Sequence, residues 1–349
     1  MARPGVLDVL RRPLVVAPMA GGPSTSDLVI AAAGAGALGF LAAGYKTPAA
    51  MAAEIAAVRA GAAEPFGVNV FVPSAPSAEA GAIAGYLGSL RASGEAVGAP
   101  LGAATWDDDA FEEKLAVLLA DPPPVVSFTF GCPPPGMIAA LRQAGAVVAV
   151  TVTSPGEAAA AAAAGADALC VQGYEAGAHR GGFGGDGTAG RDYGLLSLIG
   201  EIAAATPLPQ IAAGGIMGPR QVDAVLAAGA AAAQCGTAFL RCPESGAHPV
   251  YKAALADPRY TTTALTRAFS GRWARGLVNQ FIQRHTDAPA AYPEINNATR
   301  PLRAAAAARG DPERMSLWAG QGFRAATDGP AGEIIERLGG GPVGRKRSP

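Results

Sequence analysis

Short apolar runs alternate with alanine-rich, helix-compatible stretches through roughly the first 240 residues of the chain. This alternation is typical of repeated strand–helix units that build a parallel sheet. Most of the runs are apolar at nearly every position, as expected of strands buried on both faces. Eight runs qualify as strands, at residues 13–19, 37–44, 66–71, 125–130, 147–152, 168–173, 209–215 and 231–239.

The helix after the fifth predicted strand has the clearest boundaries. Ser154 precedes Pro155 and Glu157 in a capping arrangement that places proline at the first helical position, and Gly165 ends the alanine run. The unit at residues 219–229 repeats this plan of a helix, a glycine and an apolar run.

Eight helix-linked strands favour a closed barrel over an open doubly wound sheet, which needs a switch in strand order that a sequence cannot show. The predicted fold class is therefore α/β, a (β/α)8 TIM barrel over residues 1–240. Beyond it, helix-compatible segments lie at residues 250–256, 265–268, 277–284 and 302–309, without a convincing strand. Residues 241–349 are therefore predicted to form a smaller, mainly helical C-terminal subdomain and a tail.

Composition and charge exclude several classes of protein. Half of the residues are hydrophobic and 16% are charged, which excludes disorder as the main state. The 27 Lys and Arg residues against 28 Asp and Glu residues argue against a nucleic acid or an anionic membrane as partner. The four cysteines have no C-x-x-C spacing and are expected to be reduced.

The longest uncharged stretches are interrupted by glycine or proline, so no membrane span is predicted and a cytoplasmic protein is expected. The sequence does not determine the oligomeric state, for which a homodimer is one candidate.

The active site of a (β/α)8 barrel lies at the carboxyl ends of the strands. Gly214-Gly215 and Gly236-Thr237 follow the seventh and eighth predicted strands, where barrels commonly bind phosphate through backbone N–H groups. Either pair alone is more simply a tight turn. Together, at these two strand ends, they favour a phosphate site.

Other strand ends carry side chains suited to a flat ring and to proton transfer. Asn69 and Gln172 have amides that could bond a ring edge such as an isoalloxazine, and Met19 has a thioether that packs well on such a ring. For these residues, turn-stabilising amides and a core methionine are the alternatives.

His179 lies in a glycine-rich loop after the sixth predicted strand, and an imidazole can take up or release a proton near neutral pH. Its alternative is a loop histidine bonded to backbone. His248 and His285 lack a glycine context and are expected on the surface or in packing. No spacing of His and Cys predicts a metal site.

Three familiar motifs are excluded. The sequence contains neither a phosphate-binding G-x-x-x-x-G-K-[ST] loop nor a G-x-S-x-G nucleophile elbow. Gly34, Gly36 and Gly39 match G-x-G-x-x-G, but they precede a predicted strand and so mark a helix end and a turn.

Taken in order, the strand-end motifs resemble those of the nitronate monooxygenase family, formerly called 2-nitropropane dioxygenases. The matching segments are Ala17-Pro18-Met19-Ala20-Gly21-Gly22, Gly67-Val68-Asn69, Gln172-Gly173-x-Glu175-Ala176-Gly177-x-His179-Arg180-Gly181, Ala212-Ala213-Gly214-Gly215-Ile216 and Gln234-x-Gly236-Thr237-Ala238-Phe239. Two C-terminal segments look like the class I branch: Arg300-Pro301-Leu302-Arg303 and Leu317-Trp318-Ala319-Gly320-Gln321-Gly322.

The resemblance implies an FMN-dependent enzyme that oxidises alkyl nitronates with O₂ to a carbonyl compound and nitrite, without NAD(P)H. It implies that His179 is catalytic, either as the base that deprotonates a neutral nitroalkane or as a cation that holds the nitronate. With Met19 and Gly215 added from the strand-end analysis, the expected FMN contacts are Met19, Asn69, Gln172, Gly177, Gly214, Gly215, Gln234, Cys235, Gly236 and Thr237.

Two positions depart from the family pattern. Val16 stands where the family often has glutamine, which could alter a hydrogen bond to flavin or substrate, and Ala178 stands where glycine usually precedes the histidine, which stiffens that loop.

Two alternative functions stay open at this point. Flavin-dependent NAD(P)H reductases of the enoyl-ACP or quinone type resemble this chain in barrel, Gly-Val-Asn strand and histidine loop, and reduction of the flavin by NADH or NADPH would distinguish them. A non-catalytic flavin-binding protein is the third alternative.

Overall fold

The computed structural model describes residues 11–61, 65–184 and 193–339. Eleven strands lie within these residues: β1 (Leu14–Val16), β2 (Leu38–Ala42), β3 (Phe66–Phe71), β4 (Val125–Thr129), β5 (Val147–Val152), β6 (Ala168–Gln172), β7 (Ala178–His179), β8 (Gln210–Ala213), β9 (Ala232–Cys235), β10 (Thr263–Thr266) and β11 (Ala274–Leu277). Strands β1 to β6, β8 and β9 pair in parallel, and β9 returns to β1 to close a barrel. The predicted barrel and all eight of its strands are confirmed.

Small residues in the strands leave room for large side chains inside the barrel. A Cβ atom added to Gly67 would lie 2.2 Å from the ring of Phe40 on the neighbouring strand. Phe40 shares one apolar cluster with Val15, Val125 and Ile211, which come from three other barrel strands. The barrel interior below the strand ends is therefore a packed core, and any ligand must bind above it.

Thirteen α-helices lie within the described residues: α1 (Ser26–Gly34), α2 (Pro48–Gly61), α3 (Ala80–Ser89), α4 (Arg91–Ala96), α5 (Phe111–Ala120), α6 (Pro135–Ala144), α7 (Pro155–Ala163), α8 (Leu195–Ala205), α9 (Pro219–Ala227), α10 (Pro249–Ala254), α11 (Gln280–Arg284), α12 (Glu294–Ala308) and α13 (Ala331–Leu338). Short 3₁₀ helices span Thr237–Phe239, Pro312–Arg314 and Phe323–Ala325. None of the described helices is long and apolar enough to cross a membrane.

The predicted start of α7 is confirmed in detail. The Ser154 side chain accepts a hydrogen bond from the backbone N–H of Glu157, and Pro155 occupies the first turn. The Glu157 carboxylate reaches back to accept from the backbone N–H of Thr153, the residue before the cap. Gly165 follows the helix with a positive φ of 95°.

The C-terminal region contains two strands that the sequence analysis did not predict. Residues 265–268, predicted as helix, lie partly in β10, which pairs with β11, and β11 pairs in turn with β7. The prediction was wrong because helix propensity is a local property, whereas β10 is held in a hairpin by β11, which is in turn paired with β7 from a distant part of the chain. The predicted helical segments at 250–256, 277–284 and 302–309 largely coincide with α10, α11 and α12.

Two apolar clusters join this region to the rest of the chain. Tyr86 and Leu90, from the excursion between β3 and β4, pack with Phe269, Phe281 and Leu302. The last helix, α13, instead belongs to the core around the barrel, where its apolar residues pack with those of α1 and α9. The division at residue 240 stays a prediction, and the tail beyond residue 339 lies outside the described residues.

The contribution of the Ser154 cap to stability can be measured directly. We expect Ser154→Ala to lower the free energy of unfolding by about 1 kcal/mol, because the Glu157 N–H loses its acceptor. Urea denaturation measures the change. Ser197→Ala, at an exposed position inside α8, is the control and is expected to change stability by less than about 0.5 kcal/mol. Equal effects of the two substitutions would contradict the cap.

Candidate active site

The carboxyl ends of the barrel strands surround a cavity of about 650 Å³. Parallel strands of a barrel all end at one rim, so side chains far apart in sequence meet there. All the predicted site residues except Cys235 line the cavity: Met19, Asn69, Gln172, Gly177, His179, Gly214, Gly215, Gln234, Gly236 and Thr237.

Cys235 does not line the cavity. Its side chain is 1% exposed and belongs to the apolar core around the barrel. Successive residues of a strand face opposite sides, and the preceding residue, Gln234, faces the cavity. The side chain of Cys235 therefore faces away from the cavity, and its contact with FMN stays a prediction. Val16, where the family often has glutamine, is likewise 1% exposed and lies in the same core.

The loops after β8 and β9 form a small cradle. Gly214 and Gly215 have positive φ angles of 130° and 68°, which glycine adopts without a steric penalty. Gly236 precedes the 3₁₀ helix that begins at Thr237, and the Thr237 hydroxyl accepts a hydrogen bond of 3.0 Å from the backbone N–H of Gly320. The C-terminal region thus contacts the cradle directly and supports it.

A ladder of polar side chains crosses the strands at the bottom of the cavity. The Asn69 amide donates to the hydroxyls of Ser127 (2.9 Å) and Thr129 (3.0 Å). Further round the barrel, the Gln234 amide donates to the Cys170 thiol at 3.2 Å. With these amide orientations, both carbonyl oxygens are left as acceptors for a ligand.

Gln172 lines the cavity, as predicted by its position, and it also bonds the histidine loop. Its amide nitrogen donates to the backbone carbonyl of His179 at 3.0 Å, and its oxygen accepts from the backbone N–H of Gly181 at 2.8 Å. The Arg180 guanidinium also donates to that oxygen. Gln172 therefore lines the cavity and at the same time tethers the histidine loop to the end of β6.

His179 is held in place by antiparallel pairing with the C-terminal region. It lies opposite Ala274 in the β7–β11 ladder, and the N–H of Arg180 donates to the carbonyl of Trp273 at 2.8 Å. Ala178, where the family usually has glycine, adopts a left-handed φ of 62°. This conformation is costly for a residue with a Cβ atom, which agrees with a stiffened loop.

Aromatic rings surround the imidazole on three sides. The ring centroids of Tyr292 and Trp318 each lie 5.5 Å from that of His179, and the centroid of Phe130 lies at 5.8 Å. These distances fit ordinary aromatic contacts. The cage keeps much of the water away from the imidazole and holds its plane.

One hydrogen bond orients the imidazole inside this cage. His179 Nε2 lies 2.8 Å from the hydroxyl of Ser270, which is 1% exposed and also lies 3.1 Å from the carbonyl oxygen of Arg272. A hydroxyl has a single hydrogen. When it donates to that carbonyl, Nε2 carries the hydrogen of the imidazole and Nδ1 keeps the lone pair.

The surroundings of His179 favour its neutral form. Burial lowers the pKa of His179 to about 3, and the positive charges of Arg272 and Arg303 lower it further in the same direction. Arg272 is fully buried, donates to the carbonyls of Arg180 and Gly182, and lies 4.1 Å above the ring of Phe130. It therefore supports both the loop and the cage.

Three cationic side chains in the cavity wall were not predicted as site residues. Lys46, Arg300 and Arg303 line the cavity, and among the described residues no Asp or Glu does. Lys46 pairs with Glu54, whereas Arg303 donates to the neutral groups of Asn296 and Thr299. Burial lowers the pKa of Arg303 to about 10, so it stays protonated at neutral pH. The Arg300-Pro301-Leu302-Arg303 motif was the only signal for this feature.

The contacts of the other two histidines show where each of them lies. His285 is 7% exposed, lies 3.0 Å from the Ser93 hydroxyl and packs on Phe281, as predicted for a packing residue. His248 is exposed at the rim of the cavity, where its imidazole accepts from the N–H of Val250. Within the described residues, no group of three His, Cys, Asp or Glu could hold a metal ion.

Comparison with known proteins identifies the family. The family model described as nitronate monooxygenase matches residues 5–340. The nitronate monooxygenase of Pseudomonas aeruginosa is 40% identical over 341 residues, which cover 94% of this chain and 95% of the relative. The chain belongs to the nitronate monooxygenase family. The probable nitronate monooxygenase of Bacillus subtilis is 36% identical, covering 91% of this chain and 92% of the relative.

Solved structures agree with the family and separate it from its neighbours. A nitroalkane oxidase from Streptomyces ansochromogenes superposes with a TM-score of 0.93 at 50% identity, covering 95% of this chain and 96% of the other. FabK from Thermotoga maritima gives a TM-score of 0.71 at 27% identity, covering 97% and 95%. This chain is therefore an oxidoreductase of the nitronate monooxygenase family.

The low pKa of His179 has a consequence for stability. As the pH falls below about 6.5, unfolded His179 takes up a proton while folded His179 stays neutral, so protonation favours unfolding. We expect the free energy of unfolding to fall more steeply in the wild type than in His179→Gln between about pH 7 and pH 4, by up to about 1.4 kcal/mol per pH unit. Urea denaturation at several pH values measures both slopes.

The matched control is His248→Gln, since His248 is exposed. This variant is expected to keep the wild-type slope. If His179→Gln also keeps it, the neutral, enclosed imidazole is contradicted.

Proposed function

We propose that this protein oxidises alkyl nitronates with O₂ to carbonyl compounds and nitrite, using FMN and no nicotinamide. The observation that carries the proposal is the pairing of a neutral, caged imidazole, His179, with the cationic groups of Arg300 and Arg303 at one cavity. A nitronate is an anion that forms when a nitroalkane loses its α-proton. A base and a positive wall suit both species.

The residues at the strand ends fit FMN in two ways. Gly214, Gly215 and Gly236 form a cradle of backbone N–H groups without side chains, which suits a phosphate. The free amide oxygens of Asn69 and Gln234 suit the N–H group of a flavin ring, because a carbonyl oxygen can accept it. When bound, FMN would supply the transfer of electrons from the substrate to O₂.

The other parts of the proposed reaction are assigned to side chains of this chain. His179 in its neutral form can accept the α-proton of a nitroalkane, and the negative charge of the nitronate that forms beside it would stabilise the imidazolium and so offset the burial that lowers the pKa of His179. The guanidiniums of Arg300 and Arg303 hold the anion electrostatically, so His179 need not be charged to do so. The cage of Phe130 and Trp318 limits water around the reacting groups.

A reductase is the second candidate, because the chain resembles flavin-dependent enoyl-ACP reductases in its barrel, its Gly-Val-Asn strand and its histidine loop, and FabK superposes over almost the whole chain. An enoyl reductase domain from Bacillus amyloliquefaciens also superposes, with a TM-score of 0.57 at 14% identity, a likeness that shows the fold alone. Since a reductase must take electrons from NADH or NADPH, the two functions predict opposite results with these donors.

Turnover without nicotinamide tests the proposed function. We expect the flavin-loaded protein to consume O₂ and release nitrite when a short-chain nitronate is added in air. With a neutral nitroalkane, His179→Gln is expected to lower kcat/KM by about 10² to 10⁴, because the general base is missing. With the pre-formed nitronate the loss is expected to be smaller, because no proton has to be removed.

The flavin content of both proteins is the control for this experiment. Equal losses with the nitroalkane and the nitronate would contradict the role of His179 as a base. Bleaching of the flavin by NADH or NADPH, together with no turnover of nitronate, would assign the reductase function instead.

Gly236 offers a clean test of the phosphate cradle. Its φ of −108° is open to any residue, and an added Cβ would meet only ordinary contacts, the nearest at 3.4 Å from Ala17. Like charges about 4 Å apart repel by about 4 kcal/mol at an effective dielectric of about 20. We therefore expect Gly236→Asp to bind FMN at least tenfold more weakly than Gly236→Asn, as measured by equilibrium titration. Equal affinities would contradict a phosphate at this loop.

A further inference from the structure

Two loops with left-handed backbone meet beside the active site. Tyr45, in the loop after β2, has a φ of 67°, and Asp109 and Ala110, just before α5, have φ angles of 57° and 51°. Residues with a Cβ atom rarely adopt this conformation, and they persist in it only where the surroundings hold them.

The two loops are joined by the carboxylate of Asp109. One carboxylate oxygen accepts a hydrogen bond of 2.9 Å from the backbone N–H of Tyr45, and the other lies 2.7 Å from the ammonium of Lys114 on α5. Lys114 is completely buried. A buried ammonium is costly without a counter-charge, so Lys114 holds the Asp109 carboxylate in place.

Tyr45 in turn reaches the catalytic centre. Its side chain lines the cavity, and its hydroxyl lies 3.0 Å from the hydroxyl of Tyr292. The ring of Tyr292 belongs to the cage, 5.5 Å from the imidazole of His179. Lys114, on the outer helix, is thus connected to His179 by an unbroken series of contacts.

We propose that Asp109, fixed by Lys114, is a positioning residue for the active site. Its carboxylate holds Tyr45 in the left-handed conformation from which the Tyr45 hydroxyl bonds that of Tyr292, and this bond keeps the Tyr292 ring against His179. The inference rests on the proposed function, because its consequence is measured as nitronate oxidation.

A purely local role for Asp109 makes different predictions. The ion pair with Lys114 and the backbone bond from the N–H of Lys114 to the carbonyl of Ala110 stabilise the first turn of α5. If these two bonds had no other role, substitutions at Asp109 would lower stability, and their effect would be the same with and without the Tyr45 hydroxyl. The two roles can therefore be separated by the coupling between Asp109 and Tyr45.

The experiment is a double-mutant cycle that leaves no buried charge unpaired. Asp109→Ala/Lys114→Met removes both charges and the acceptor for the Tyr45 N–H, whereas Asp109→Asn/Lys114→Met removes the charges and keeps an amide oxygen as acceptor. Each pair is made with and without Tyr45→Phe, which deletes the bond to Tyr292. For every protein, kcat and KM for a short-chain nitronate, melting temperature and flavin content are measured.

We expect Asp109→Ala/Lys114→Met and Tyr45→Phe each to lower kcat/KM about tenfold, and their combination to lower it no further. Asp109→Asn/Lys114→Met is expected to restore kcat/KM to within about twofold of the wild type, even if its melting temperature is as low as that of the alanine pair.

Two results would overturn the inference alone. One is multiplicative losses when Tyr45→Phe is combined with the alanine pair, and the other is equal kinetics of the asparagine and alanine pairs. In both cases the wild type still oxidises nitronate, so the proposed function stands. A wild-type protein that does not oxidise nitronate overturns both.

Discussion

The active site depends on the pairing of β7 with β11. The ladder between His179 and Ala274 joins a loop at the rim of the barrel to a hairpin much later in the chain. Arg272, which follows the turn of that hairpin, donates to the carbonyls of the histidine loop and packs on Phe130. Several of the bonds that hold this loop come from the C-terminal region, so the position of the His179 imidazole depends on the folding of that region onto the barrel as well as on the bonds of Gln172.

Burial affects the charge of a histidine and that of an arginine differently. Accepting a proton and attracting an anion can therefore fall to two separate side chains. An imidazole loses its charge easily when it is buried, whereas a guanidinium keeps its charge under the same conditions. His179 is therefore neutral beside Arg303, which burial leaves protonated at neutral pH. A neutral group that can accept a proton and a permanent positive charge are thus supplied by different residues. This arrangement suits a substrate that is neutral before it loses a proton and anionic afterwards, because neither state requires His179 to begin as a cation.

The extent to which the fold could be predicted follows from where each element finds its partners. The barrel strands were predictable because burial on both faces makes them continuously apolar, and α7 because Ser154 and Glu157 form its cap within the chain itself. Strand β10 could not be predicted, since it pairs with β11, and β11 pairs in turn with β7 in the histidine loop. The direction in which the Cys235 side chain faces could not be predicted either, because the family motif gives the residues at a strand end but not which of two neighbours faces the cavity.

The sequence by itself determined the barrel, the family and most of the residues at the cavity, because parallel strands bring their carboxyl ends to one rim whatever lies between them. Only the tertiary structure decided what surrounds those residues. The aromatic cage, the cation of Arg303 and the bond from Tyr45 to Tyr292 join segments that are far apart in the chain. Such contacts leave no periodic pattern and no local motif, since each is created by packing between elements and not within one.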